Sequence, residues 1–242
     1  MLLNCDLGEG FGAWQMAPDQ ELMPHIHLAN LACGFHAGDA QIMDQRIRQA
    51  LALNVRLGAH VSYPDLAGFG RRALPSTSQE VLQWCLYQYG ALHAMTQVHG
   101  GVVEYVKPHG ALYHRLHQDL ATLRQLCESM RRWPGQPSLM LMAGPAGDAA
   151  SQCASQVGIH VIREAFADRA YEADGRLRSR HLPGAVLSDW EAVQKQAEQI
   201  LSGHLVIDGH RMPMAAQTLC IHSDSPGSLE MARQLNQWLS EI

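Results

Sequence analysis

The sequence lacks the features that would place it in a membrane or outside the cell. No apolar stretch in its 242 residues approaches the roughly 18 to 20 residues that a membrane-spanning helix needs. The first twenty residues contain Asn4, Asp6 and Glu9 and have no basic segment before an apolar run, unlike a secretory signal. We therefore expect a cytoplasmic protein that does not bind membranes.

Closely spaced cysteine pairs and long basic segments are also missing. The six cysteines lie far apart and form no C-x-x-C pair, a pattern typical of reduced thiols buried as small apolar residues. The formal net charge is -5 and no basic stripe is present, so nucleic acid is not an expected partner. A small polar molecule is the expected ligand.

Two common motifs of nucleotide and serine chemistry are absent. The sequence contains no G-x-x-x-x-G-K-[ST] loop and no G-x-S-x-G elbow. Residues 8–13 fit the loose G-x-G-x-x-A dinucleotide pattern, but Pro18 interrupts the long helix that should follow. We therefore reject a Rossmann fold.

Short β-rich runs alternate with segments of helical period along the whole chain, which is typical of βαβ units around a parallel sheet. Seven strands are predicted, at about 2–6, 26–32, 56–60, 102–106, 138–143, 159–164 and 218–222. Capping boxes at Thr77–Glu80 and Ser188–Glu191 predict the starts of two helices. The segments 204–207 and 211–214 flank Asp208-Gly209 and predict a small hairpin outside the sheet.

Seven βα units in a chain of this length favour a barrel over a doubly wound sheet. We predict an α/β protein with a single domain over residues 1–242, an irregular seven-stranded (β/α) barrel of TIM-like architecture. An eighth strand is not evident in the sequence, so the barrel is expected to be closed or nearly closed.

Polar side chains follow the end of strand after strand. In chain order they are Asn4, Asp6, Asn30, His36, His60, Lys107, His109, Glu164, Asp168, Arg169, His222 and Asp224. The carboxyl ends of barrel strands converge on one rim, and the active sites of such barrels lie there. We therefore expect these residues to surround one polar cavity, which requires that Asp6 and Lys107 meet.

Taken singly, these residues have simpler explanations. Any of Asp39, Asp65, Asp189 or Asp224 could cap a helix or stabilise a turn. Lys107 follows an apolar residue and precedes a proline, which predicts a desolvated ammonium able to polarise a carbonyl or phosphoryl oxygen, although its stem could also extend to solvent. The argument for a site therefore depends on convergence.

Seven motifs carry a resemblance to a known family. They are L-N-C-D-L-G-E-G-F-G (3–12), A-N-L-A-C-G-F-H-A-G-D (29–39), G-A-H-V-S-Y-P-D (58–65), G-F-G-R-R (68–72), V-K-P-H-G-A-L-Y (106–113), F-A-D-R-A-Y-E-A-D-G (166–175) and C-I-H-S-D-S-P-G (220–227). Together they resemble the LamB/YcsF family, the A subunits of bacterial 5-oxoprolinase. The motifs run from one end of the chain to the other in the family's order.

The resemblance implies a barrel related to those of glycoside hydrolases and deacetylases, and an ATP-dependent opening of the cyclic amide of 5-oxo-L-proline to L-glutamate. It also implies ATP accompanied by Mg²⁺, and subunits B and C as partners. It does not assign ATP or a bound metal to this chain or to a partner. Phosphorylation of the lactam oxygen would make the ring a better electrophile, which explains the need for ATP.

Under this hypothesis, Asp6 or His109 is the general base on water, and Lys107 and His222 stabilise negative charge on the ring carbonyl or its phosphate. His60 is a further catalytic candidate. The substrate-binding candidates are Asn4, Asn30, His36, Glu164, Asp168, Arg169 and Asp224, with Arg169 forming a bidentate bond to the substrate carboxylate.

Two alternatives remain open from the residues. One is a metal-dependent amidase or deacetylase that uses no ATP, in which Asp6, His36 and His60 bind a divalent ion. The other is a non-catalytic subunit that captures the lactam and delivers it to a partner.

Overall fold

The computed structural model describes residues 1–225 and 227–242. Within these ranges the strands are β1 (Leu2–Leu7), β2 (Leu28–Ala32), β3 (Arg56–Val61), β4 (Val103–Pro108), β5 (Ser138–Met142), β6 (Val161–Phe166), β7 (His204–Ile207), β8 (His210–Pro213) and β9 (Thr218–Ile221). Seven of them form a closed parallel barrel in the order β1-β2-β3-β4-β5-β6-β9, and β9 pairs with both β6 and β1. The predicted TIM-like seven-stranded barrel is confirmed, and each of the seven strands lies within two residues of its predicted bounds.

Helices connect the strands on the outside of the barrel. They are α1 (Asp19–Leu22), a 3-10 turn (Met23–His25), α2 (Ala40–Ala52), α3 (Ser78–Val98), α4 (Gly110–Gln118), α5 (Leu120–Met130), α6 (Pro145–Val157), α7 (Trp190–Leu201) and α8 (Ser228–Glu241). Each long helix buries one face, as α2 does with Met43, Ile47 and Ala50. Among the described helices, none has both the length and the hydropathy needed to cross a bilayer.

Helix starts follow the capping residues only in part. Thr77 and Glu80 form the predicted capping box at the start of α3. The second predicted box is wrong, because α7 begins at Trp190 and Asp189, not Ser188, accepts the backbone N–H of Ala192 at 3.1 Å. Helix α2 begins at Ala40, after an Asp39 carboxylate that accepts two backbone amides. The simple capping explanation is therefore correct for Asp39 and Asp189.

Two further expectations are confirmed. The strands β7 and β8 pair as an antiparallel hairpin outside the barrel. The six cysteines are free and buried, as expected for reduced thiols. The barrel interior is apolar along most of its length, and polar side chains collect at the carboxyl ends of the strands, where the site lies.

Candidate active site

Lys107, at the end of β4, lies at the centre of the polar rim and is 3% exposed. Its Nζ is 2.9 Å from Oδ1 of Asp6 on β1 and 3.0 Å from Oε2 of Glu164 on β6. It also lies 3.2 Å from Sγ of Cys220 on β9. The expected meeting of Asp6 and Lys107 is confirmed, and the lysine stem does not extend to solvent.

Asn4 and Asn30 are fully buried and form a hydrogen-bonded layer with Asp6. Asn30 Nδ2 donates to Oδ1 of Asp6 at 2.8 Å and to Oδ1 of Asn4 at 2.9 Å, while its own Oδ1 accepts from the hydroxyl of Tyr105 at 2.7 Å. Asn4 Nδ2 donates to Thr218 Oγ1 at 3.0 Å. Neither asparagine lines the cavity described below. Their contacts position Asp6 and Lys107.

The charges of this centre reinforce one another. Burial by itself would raise the pKa of Asp6, but His60 and Lys107 beside it hold that pKa well below its ordinary value. Burial opposes the charge on Lys107, but Asp6 and Glu164 are among the neighbours that raise the pKa of its ammonium well above the ordinary value. The Asp6–Lys107 pair therefore stays ionised at neutral pH.

A second group, called the histidine cluster below, consists of Glu9, His36, His60 and His109. None of the four is more than 6% exposed. His36 Nε2 lies 3.0 Å from Glu9 Oε1, and His60 Nε2 lies 2.9 Å from His109 Nδ1. The rings of His36 and His109 stack with centroids 3.9 Å apart. The cluster borders the lysine centre, since His60 Nε2 is 3.3 Å from Oδ2 of Asp6.

Glycines allow the loops to close on the histidine cluster. Gly70 has a φ of +64°, and a Cβ there would lie 2.2 Å from Ser62 Oγ and 2.9 Å from His36 Cβ. Gly110, with a φ of +53°, would place a Cβ 2.6 Å from the carbonyl oxygen of Gly70. Only glycine adopts these conformations without strain and leaves the space that the cluster needs.

Burial sets the proton affinities of the cluster. Burial and the neighbouring carboxylate of Asp6 raise the pKa of Glu9 to about 7. Burial, followed by the positive charge of neighbouring histidines, lowers the pKa of both His36 and His109 well below the ordinary value. Both of these rings are therefore neutral at physiological pH.

His222 lies across the rim from the histidine cluster. Its Nδ1 is 3.0 Å from Oδ1 of Asp168, and its backbone N–H donates to Oδ2 at 2.9 Å. Its ring stacks on Phe166 with centroids 5.6 Å apart. Because Asp168 occupies Nδ1, Nε2 is the ring nitrogen available to a ligand. Asp168 therefore fixes the orientation of His222 and does not itself line the cavity.

A cavity of about 340 Å³ opens above these groups. Its base is formed by Asp6, Glu9, His60, Lys107, His109 and His222. Its outer wall carries the charged residues Arg71, Arg169, Arg178, Arg180, His181 and Asp224. Asp224 pairs with both Arg71 and Arg180, so the wall retains excess positive charge. His36 and Glu164, like the two asparagines, support the base from behind.

Arg169 has a structural task beside its place in the wall. Its Nε donates to the carbonyl of Ala185 at 3.1 Å and its Nη2 to the carbonyl of Arg178 at 2.7 Å. These bonds hold the 169–187 loop over the cavity. A bidentate bond to a substrate carboxylate would compete with them.

Four residues of the site were absent from the candidates chosen from the sequence, namely Glu9, Arg71, Arg178 and Arg180. Glu9 and Arg71 lie in two of the motifs quoted above, G-E-G and G-F-G-R-R, which could have identified them. Arg178 and Arg180 lie in a loop without strand or helical period, and nothing in the sequence distinguishes them from other surface arginines.

The fold and the rim define a class of protein, a closed (β/α) barrel with a buried lysine–carboxylate pair and a histidine cluster at the carboxyl ends of its strands. Residues 1–242 match the LamB/YcsF family throughout, and the chain belongs to that family.

Curated relatives and a solved structure agree with this assignment. The chain is 46% identical to A subunit 2 of 5-oxoprolinase from Pseudomonas putida, over 100% of this chain and 95% of the relative. It is 45% identical to the 5-oxoprolinase A subunit of Pseudomonas fluorescens, over 100% of this chain and 97% of the relative. The crystal structure of the lactam utilization protein from Thermus thermophilus superposes with a TM-score of 0.89 at 37% identity, covering 100% of this chain and 96% of that one.

Proposed function

We propose that this chain is the A subunit of a cytoplasmic, ATP-dependent 5-oxoprolinase and opens the cyclic amide of 5-oxo-L-proline to L-glutamate, together with subunits B and C. The names of its relatives support the substrate and the multi-subunit complex. The observation that carries the proposal is the buried Lys107 ammonium at the base of the cavity. A fixed positive charge in a water-poor site stabilises the negative charge that develops on an amide oxygen under attack.

The dimensions and charge of the cavity suit a small anionic lactam. Ligand sites commonly range from about 300 to about 1,000 Å³, so a cavity of about 340 Å³ fits a compact molecule. The lactam carbonyl would face Lys107 and His222, and its carboxylate would face the arginine wall. Asp224 neutralises only one of the two arginines that it contacts. The other positive charge is left for the substrate.

Ring opening needs a group that accepts a proton from water and a group that protonates the leaving nitrogen. Water adds to the carbonyl carbon, the ring C–N bond breaks, and the nitrogen gains the proton that the water loses. The histidine cluster would accept and return this proton, because Glu9 has a pKa of about 7 and a general base works best with a pKa near the operating pH. Asp6 would remain ionised and hold Lys107 in place.

The arginine wall also has the right chemistry for phosphate groups. Arg71, Arg178 and Arg180 would hold the phosphates of ATP, with Mg²⁺ accompanying them, and no glycine-rich phosphate loop is needed for such contacts. ATP would supply the phosphoryl group that makes the lactam oxygen easier to displace.

The test is a coupled assay of glutamate release from 5-oxo-L-proline, with and without ATP and with and without subunits B and C. Release that requires this chain, both partners and ATP supports the proposal. Release by the chain alone without ATP would overturn it in favour of a metal-dependent amidase, for which the histidine cluster is the favouring observation. Turnover by subunits B and C alone would show that this chain only binds the lactam.

A matched pair of arginine variants tests the orientation of the substrate. Arg180→Gln removes a wall charge and should raise the KM for 5-oxo-L-proline by about 10-fold or more, since hydrogen bonds to charged groups contribute about 1.5–3 kcal/mol. Arg176→Gln removes an arginine paired with Asp174 outside the cavity lining and should leave KM unchanged. Equal KM values for the two variants would remove Arg180 from substrate binding.

A further inference from the structure

Two rings of the histidine cluster have their proton positions fixed by backbone carbonyls. His60 Nδ1 lies 3.0 Å from the carbonyl oxygen of Lys107, and His109 Nε2 lies 2.9 Å from the carbonyl oxygen of Phe69. A carbonyl accepts only from an N–H, so each of these nitrogens carries a proton. In the neutral rings, His60 Nε2 and His109 Nδ1 are therefore bare lone pairs.

These two bare nitrogens face each other at 2.9 Å. Lone pairs at that distance repel unless a positive charge lies between them. Oε1 of Glu9 converges on the same point, at 3.7 Å from His60 Nε2 and 3.5 Å from His109 Nδ1. Three electron-pair donors from separate segments of the chain thus point at one another.

The charge of the surrounding centre is also unbalanced. The carboxylates of Asp6, Glu9 and Glu164 are all buried, and Lys107 is the cation that contacts two of them. When all four are ionised, the buried centre has two more negative than positive charges. Buried charges without compensation are strongly unfavourable. A divalent cation near Glu9 would balance the centre.

We propose that Glu9, His60 and His109, with His36 as a fourth donor, form a binding site for a divalent transition-metal ion such as Zn²⁺. Donors about 2.0–2.1 Å from a tetrahedral ion lie about 3.3 Å from one another. The observed separations of 2.9, 3.0, 3.5 and 3.7 Å bracket that value. Imidazole donors favour Zn²⁺ and similar ions over Mg²⁺, so this ion is distinct from the Mg²⁺ that accompanies ATP.

The surroundings hold the donors in place as a metal site requires. Backbone carbonyls that accept from the second nitrogen of a histidine fix its orientation for a metal. The carbonyl that accepts from His109 belongs to Phe69, which adopts a φ of +53°, a strained conformation for a residue with a side chain. In the reaction, an ion here would lower the pKa of a bound water molecule. That role rests on the proposed function, whereas occupancy of the site does not.

The first test measures metal in the full-length wild-type chain, purified without chelators and dialysed, by mass spectrometry. The chain is then stripped with EDTA and titrated with Zn²⁺ by calorimetry and with Co²⁺ by visible absorption. About one ion per chain and a saturable Co²⁺ absorption band are expected. Lack of both, with His60 doubly protonated in ¹⁵N NMR spectra, would overturn the proposal in favour of a shared proton. These readouts are independent of glutamate release, so a failure of the proposed substrate would not affect them.

Variants locate the ion within the rim. His109→Gln and Glu9→Gln should each weaken Zn²⁺ binding by at least about 100-fold, because loss of a partner that merely orients a ligand already costs about 10–100-fold. His222→Gln is the matched control, since Asp6, Cys220 and His222 form the other group within metal-binding distance among the described residues. It should bind Zn²⁺ as the wild type does. Binding lost in His222→Gln but retained in folded His109→Gln and Glu9→Gln would place the ion elsewhere and overturn the proposal. Circular dichroism of the metal-free variants verifies folding.

Discussion

Replacing Lys107 with methionine should destabilise the protein more than any other single change at the rim. The substitution keeps a long side chain but leaves Asp6 and Glu164 buried without the ammonium that lies 2.9 and 3.0 Å from them. At an effective dielectric constant of about 20, one charge pair at about 3 Å contributes about 5–6 kcal/mol. Burial of the ammonium offsets part of this. We therefore expect the free energy of unfolding to fall by about 3–5 kcal/mol, as for other buried pairs that lose one partner.

The pH dependence of this loss identifies its cause. In Lys107→Met the two carboxylates are expected to have pKa values above those of the unfolded chain. The stability associated with them is then complete at low pH and is lost as pH rises. The difference from wild type should therefore be larger at about pH 8 than at about pH 5. Adding Asp6→Asn to Lys107→Met should restore part of the stability, because it removes one uncompensated charge.

The assay is urea unfolding followed by circular dichroism, with glutamate release measured on the assembled complex. The chain contains only two lysines, and the other, Lys195, lies exposed on α7. Lys195→Met is therefore the matched control, expected to change stability by less than about 0.5 kcal/mol. Turnover by Lys107→Met should fall by about 10²–10³-fold. A stability loss no larger than that of Lys195→Met, or one that does not depend on pH, would refute the reasoning.

Three further changes test other parts of the structure. In EDTA-treated protein, Glu9→Gln should be more stable than wild type above about pH 7, by on the order of 3 kcal/mol, because burial raises the Glu9 pKa from 4.5 to about 7 and the stability that Glu9 contributes below the lower value is lost as pH rises through the upper one. Gly70→Ala should lose about 1–3 kcal/mol more in urea unfolding than Gly12→Ala, since both residues have positive φ but only Gly70 would place a Cβ against Ser62. Thr77→Ala should lower the free energy of unfolding by about 1 kcal/mol through loss of the capping box, with glutamate release unchanged.

Each of these has a result that would contradict it. Parallel pH profiles for wild type and Glu9→Gln would show that Glu9 does not titrate differently in the folded protein. Equal losses for the two glycine variants would mean that the loop relaxes to admit a methyl group. A drop in turnover for Thr77→Ala would show that the start of α3 communicates with the rim.

The fold was predictable because strands buried on both faces give near-continuous apolar runs. The run at β5, with Leu139, Met140 and Leu141 fully buried, is an example. Convergence of polar strand ends was predictable for the same topological reason, and it brought Asp6 to Lys107. Barrel geometry fixes where a strand ends, so residues at those ends are located even when their contacts are not.

The internal organisation of the site was not predictable in the same way. Asn4 and Asp6 share one face of β1, but their spacing does not reveal that Asn4 is sealed beneath the lysine while Asp6 reaches the cavity. The position of Glu9 depends on how the chain bends after β1, which no periodicity encodes. Arg180 reaches the wall through a loop whose path is set by the bonds of Arg169 to backbone carbonyls.

The way in which the barrel closes determines when the site can exist during synthesis. Strand β9 lies between β1 and β6 and brings Cys220 to the lysine, so residues separated by more than two hundred positions must pair. Pairing over such a separation is slow, and the chain must first leave the ribosome as far as Ile221. A nascent chain that stops before Thr218 has both edges of its sheet open and exposes them to other chains. Premature termination in the last tenth of translation should therefore give aggregates and not a weakened protein.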